Sequence, residues 1–83
     1  MAELTALGFG RTMEHKLHTV GIHTAEELRT AGSEQAAARL KERYPGTCVT
    51  ILYYLEAALQ GVPIRELDGG RKAELRDYFK KLP

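Results

Sequence analysis

The chain has 83 residues, 43% of them hydrophobic and 28% charged, with 12 Lys and Arg against 11 Asp and Glu for a net charge of +1. That length suits one small domain burying roughly 60% of its unfolded surface, and it excludes separate substrate and cofactor domains side by side. A single cysteine, Cys48, excludes an internal disulfide and a thiolate zinc cluster, and suits a reducing compartment.

The start, MAELTALGFG, has no basic segment followed by an apolar run, so no secretory signal is expected. The longest apolar stretch, CVTILYYLEAALQG, contains Glu56 and stops short of the ~20 residues a membrane span requires. The expectation is a soluble, cytoplasmic protein with no membrane partner.

Taken in chain order, the punctuation predicts helices joined by tight corners. ELTAL at 3–7 is short for a helix and leads into the corner GFG at 8–10. Met13, Leu17 and Val20 share one face of a helix over 12–20, which Gly21 stops. Thr24 stands three residues before Glu27, the spacing of a capping box in which the Thr24 hydroxyl takes an amide and Glu27 returns to the Thr24 amide. A helix over 25–31 then ends at Gly32, and Ser33 caps another over 34–43 anchored by Leu40.

YPG at 44–46 is a stop. Thr47 caps the most apolar helix, 48–60, in which Ile51, Leu52, Leu55, Ala58 and Leu59 cover a wide face, and Gly61 ends it. VPIREL at 62–67 forms a corner with one helical turn. Asp68 caps a last helix through Leu82, with Leu75, Phe79 and Leu82 inward and Tyr78 at their edge. The fold class is all-α, a compact bundle of about five short helices with a helix-hairpin-helix-like N-terminal part, forming one domain over 1–83.

Several residues carry candidate chemistry. Gly8 and Gly10 bracket Phe9, and a leucine and a glycine follow at Leu17 and Gly21, the spacing of a helix-hairpin-helix turn. Two glycines can present free amides at a helix N-terminus, where the helix dipole favours a phosphate, with Arg11 and Lys16 as supporting cations. The competing reading makes the glycines a bend and Phe9 a core plug, with nothing bound.

His15 and His18 are three apart, a spacing able to share a metal, but they lie opposite Met13, Leu17 and Val20 where solvent is the default. No metal and no cofactor are expected. Glu56 interrupts an apolar helix, so it must be paired or hydrogen-bonded: to amides at a neighbouring helix start, or to an arginine such as Arg29 or Arg39. No second acid, base or nucleophile is nominated beside it, nor beside Cys48, so an enzyme is not expected. Arg39, Arg43, Arg76 and Lys80 become a nucleic-acid footprint only if the fold unites them. Tyr44, Tyr53, Tyr54 and Tyr78 exceed what a small core hides and suit an interface with another protein or a second copy.

Two stretches, GIHTAEELRTAG (21–32) and LYYLEAALQG (52–61), carry a resemblance. With Gly21, Ile22, Thr24, Glu27, Leu28 and Gly32 in the first, and Leu52, Tyr53, Leu55, Glu56, Ala58, Leu59 and Gly61 in the second, the chain resembles the C-terminal domain of the TfoX/Sxy family of competence regulators over about residues 4–82. The resemblance implies a small helical domain with a helix-hairpin-helix-like start and a non-catalytic part in transcriptional control of DNA-uptake genes. It carries no catalytic residues. Gly8, Arg11, Thr12, Lys16 and Ile64 depart from the family pattern, and the N-terminal TfoX domain of fused members is not in this sequence. The expectation is a stand-alone, divergent member: a regulatory or adaptor domain, with weak non-sequence-specific DNA contact through Gly8, Gly10, Arg11 and Lys16, or homo-oligomerisation, as alternatives.

Overall fold

A computed structural model of the chain describes residues 8–82; the leading ELTAL lies outside them. Four helices occur in the order α1 (Arg11–Thr19), α2 (Ala25–Arg43), α3 (Val49–Gln60) and α4 (Gly69–Lys80), with a 3₁₀ turn at Ile64–Glu66 before the last. The radius of gyration is 11.8 Å, close to the ~12 Å expected of a folded chain this long.

Each helix begins and ends for a local reason. Gly10 is the N-cap of α1 without a side-chain bond. Gly21 and Gly61 take positive φ and close the ends of α1 and α3. After each glycine an amide reaches back five residues, Ile22 to Leu17 at 2.8 Å and Val62 to Ala57 at 3.0 Å, the pattern of a Schellman cap. Thr24 caps α2 by accepting the Glu27 amide at 3.1 Å. Glu27 does not return to the Thr24 amide; its carboxylate accepts from the His23 amide at 2.8 Å, one residue earlier. Asp68 caps α4 by accepting the amides of Gly70 and Arg71.

The two helices expected over 25–31 and 34–43 are both present as the two parts of α2, with a kink at Gly32 (φ 84°, ψ 158°) between them. Two expected caps need correcting. Ser33 is buried, and its hydroxyl donates across to Glu56 at 2.6 Å. Nor does Thr47 cap α3. Cys48 holds the N-cap position, and the Thr47 hydroxyl donates to the Tyr44 carbonyl at 2.7 Å, closing the YPG turn.

The core runs between the second part of α2, α3 and α4, which pack against one another, while α1 lies on α2. Leu17, Leu28, Leu40, Leu52, Leu55 and Leu75 are fully buried, each worth roughly 1.5–3 kcal/mol of apolar transfer. Short connections make α3 antiparallel to its neighbours on either side. Residues 33–43 and α4 therefore run in parallel: Glu34 meets Arg71 where both begin, and Lys41 meets Phe79 and Leu82 where both end.

Candidate functional site

At the GFG corner, Gly8 has φ +90°, a conformation that only glycine adopts freely. This turns Phe9 inward, where it is 4% exposed and stacks on Tyr54 with ring centroids 5.2 Å apart. The Tyr54 hydroxyl donates to the Gly8 carbonyl at 3.2 Å and ties the corner to α3. The first intrahelical bond runs from the Glu14 amide to the Gly10 carbonyl at 3.0 Å. The amides of residues 11–13 thus open toward solvent without a side-chain cap, beside an exposed Arg11. The arrangement can accept an anion, and it is also a complete structural corner.

Lys16 does not stand with the corner amides. Its ammonium lies over the Tyr44 ring, 5.2 Å from the centroid, and the Arg43 guanidinium lies over the same ring at 5.0 Å. Lys41 lies over Phe79 at 4.8 Å and donates to the Leu82 carbonyl at 3.4 Å. Cation–π contact places each of these charges at the edge of the core without neutralising it. Sequence reasoning missed the Tyr44 cluster, because Lys16 and Arg43 are 27 positions apart and only the packing of α1 on α2 unites them.

Where the second part of α2 and α4 begin and α3 ends, charge is neutralised densely. The Glu56 side chain, 13% exposed, accepts from Arg71 at 3.2 Å. It also accepts from Ser33 and from Gln60, each at 2.6 Å. Its arginine partner is Arg71, not Arg29 or Arg39, because residues 33–43 and α4 both begin where α3 ends. Burial pushes the Glu56 carboxyl up, but the bonds from Arg71, Ser33 and Gln60 together hold it below the usual carboxylate range. Arg71 also faces Glu34 at 3.7 Å and Glu74 at 3.6 Å. The Glu56 hydrogen bond is the main reason its guanidinium pKa is raised further.

Three carboxylates therefore converge on one arginine. Among the described residues, Lys16, Arg39, Lys41 and Arg43 have no carboxylate ion-pair partner. A net charge of +1 thus conceals two unlike ends. The exposed Cys48 lies at the cationic end, where the Thr50 amide at the start of α3 holds its thiol below the usual range.

His18 and His23 tilt against each other with rings 5.2 Å apart, and His23 Nδ1 lies 3.5 Å from Glu27. Among the described residues, no three His, Cys, Asp or Glu side chains are grouped as metal ligands, and no helix is long and apolar enough to cross a membrane.

Comparison with known proteins follows the fold. A crystal structure of an uncharacterized protein from Listeria monocytogenes, in a triclinic form, superposes with a TM-score of 0.91 at 36% identity, covering 98% of this chain and 93% of that one. A tetragonal form of a protein of unknown function from the same organism gives a TM-score of 0.86 at 36% identity, covering 90% of this chain and 93% of that one. No curated protein matches. The model of the TfoX C-terminal domain matches residues 2–79, nearly the whole chain. With nearly the whole chain matched, the chain belongs to the TfoX C-terminal domain family.

Proposed function

We propose that the chain is a regulatory adaptor, a single helical domain over residues 1–83 that acts by binding and whose partner is the phosphate backbone of DNA. The observation that carries this reading is the separation of charge. Glu34, Glu56 and Glu74 are gathered on Arg71, while the cations at the other end of the bundle form no ion pair with a carboxylate. The uncapped amides that begin α1, with Gly8, Gly10 and Arg11 around them, supply a second and smaller attraction for an anion. The reading assigns the domain a part in control of DNA-uptake genes, a role suited to the cytoplasm, where the exposed thiol of Cys48 would stay reduced.

Contacts of this kind recognise charge rather than base sequence, so affinity should be modest and dependent on salt. Titrating the protein into a fluorescent duplex should show binding at low salt, with log K falling linearly in log salt and indifferent to sequence. No binding at low salt would remove DNA from the reading.

A protein partner, or a second copy of the chain, is favoured by one further feature. Tyr54, Ala57, Ala58, Val62, Pro63 and Ile64 line an open apolar groove of about 190 Å³ beside the 3₁₀ turn. Light scattering should report a mass above the 9.3 kDa monomer if that groove holds a second copy, and the monomer mass if it does not.

A further inference from the structure

The geometry points to the seam between α1 and the end of α2, built on Lys16, Arg39 and Arg43, as the surface that binds duplex DNA, in preference to the GFG corner. This rests on the DNA reading above and specifies where on the molecule the contact is made.

Lys16 on α1 stands four residues before Val20, the C-cap of that helix, and Arg39 and Arg43 lie one turn apart on α2. Val20, Arg39, Glu42 and Arg43 line an open groove of about 370 Å³. Tyr44 follows Arg43 in the chain, and Lys16 and Arg43 both lie over its ring at 5.2 and 5.0 Å, which brings Lys16 to the seam. Two cations on a single ring lie within about a Debye length of each other, ~10 Å at 0.1 M salt, and repel. With no carboxylate bonded to either, an incoming anion is what relieves that repulsion. The GFG corner offers a single arginine; the seam offers three cations.

The shape of the seam selects the class of ligand. An open groove with cations spread along two helices does not enclose a small phosphate, but it can follow an extended polyanion. The ~6 Å rise from Arg39 to Arg43 spans about two phosphates of one strand, which advances ~3.4 Å per phosphate. Single strands bind chiefly by stacking bases on aromatic faces, and the one aromatic ring here already carries two cations. An acidic protein partner would want a large exposed apolar or aromatic anchor at the centre of the contact, and here the seam offers the half-buried Val20 and the half-buried Tyr44 ring under two cations. A duplex backbone asks only for charge.

Glu42 supplies the discriminating prediction. It lines the groove yet pairs with neither arginine, so its charge opposes a polyanion while bonding to nothing that holds the fold. The experiment is fluorescence anisotropy with a short random-sequence duplex, with polyglutamate as a competing anion and circular dichroism to verify each fold. Glu42→Gln should tighten binding a few-fold, an effect that damage to the fold does not imitate. The triple variant Lys16→Gln, Arg39→Gln, Arg43→Gln should weaken it at least ~10-fold and flatten the log–log salt slope by about 2–3, near 0.9 for each phosphate that is no longer neutralised. Arg11→Gln should change affinity no more than about twofold.

If the triple variant and Glu42→Gln both bind as wild type while Arg11→Gln loses the duplex, the seam is overturned and the DNA reading stands. If the wild-type protein ignores the duplex at low salt, the DNA reading fails and the seam with it. Polyglutamate displacing duplex at equal charge concentration would replace DNA with an acidic protein as the partner.

Discussion

Gly32→Ala should lower the melting temperature by about 10–20 °C, corresponding to roughly 2–3 kcal/mol in a domain this small. Gly32 sits inside α2 at φ 84°, ψ 158°, where the backbone is extended with the wrong sign for an L residue. Beyond its chain neighbours and the adjoining helix backbone, no heavy atom lies within 4 Å of the position a β-carbon would take. The cost is therefore conformational and not steric, and repacking cannot relieve it. Gly61 provides the control. It has φ 74°, ψ 29°, a left-handed conformation that asparagine tolerates, so Gly61→Asn should cost about 1 kcal/mol or less. Gly32→Asn should be nearly as damaging as Gly32→Ala, because the conformation of Gly32 is accessible essentially to glycine alone. Thermal unfolding followed by circular dichroism measures all three. Equal melting temperatures for Gly32→Ala and wild type would mean that the break in α2 is not required. The break places Ser33 opposite Glu56, so the same variant should disturb the polar cluster.

Arg71→Met should destabilise the domain by about 2 kcal/mol at pH 7. A fully buried pair broken on one side costs ~3–5 kcal/mol, and partial exposure of Arg71, Glu34 and Glu74 reduces that figure. Most of the loss comes from Glu56, the least exposed of the three acids. The pH dependence follows from the direction of its shift. Because the folded-state pKa of Glu56 lies below its unfolded value, its ionised form contributes stability that is complete above the ordinary carboxylate pKa of ~4.3. That stability is lost as pH falls through the lower folded value. In Arg71→Met, burial still pushes Glu56 up while the strongest opposing bond is gone, so acid relieves the variant as it weakens the wild type. Urea unfolding at pH 7 and pH 3 should show the gap between them narrowing. A gap of unchanged size would assign the loss to packing. The double variant Glu56→Gln, Arg71→Met should recover much of the stability, since it leaves no stranded charge. Duplex binding should survive Arg71→Met, because the seam lies at the other end of the helices.

The helices and their limits were legible because their signals act over a few residues. Thr24 and Asp68 cap within three positions, Gly21 and Gly61 stop helices within one, and Met13, Leu17 and Val20, like Leu52, Leu55 and Leu59, recur at helical spacing. Where a local signal competed with a distant partner, the distant partner prevailed. Ser33 had the position of a cap, yet burial turned its hydroxyl into a donor for Glu56, 23 residues away. At Thr47 one local signal displaced another: its hydroxyl closed the turn on Tyr44, three residues back, leaving the N-cap of α3 to Cys48.

For the candidate site, spacing identified Glu56 as a group needing a partner and the GFG corner as a place where amides open. It could not choose Arg71 over Arg29 or Arg39, because that choice depends on which helix starts meet the end of α3. Nor could it show that a chain of net charge +1 has one end neutralised and the other cationic. Composition sums charge over the whole chain, whereas attraction to a polyanion depends on where the charges lie. Residue types and local spacing were enough for the helices, their caps and the leucine core, since these answer to neighbours in the chain. Tertiary packing alone placed Lys16 beside Arg43 and both Glu34 and Glu56 on Arg71, since these meet only after the helices cross.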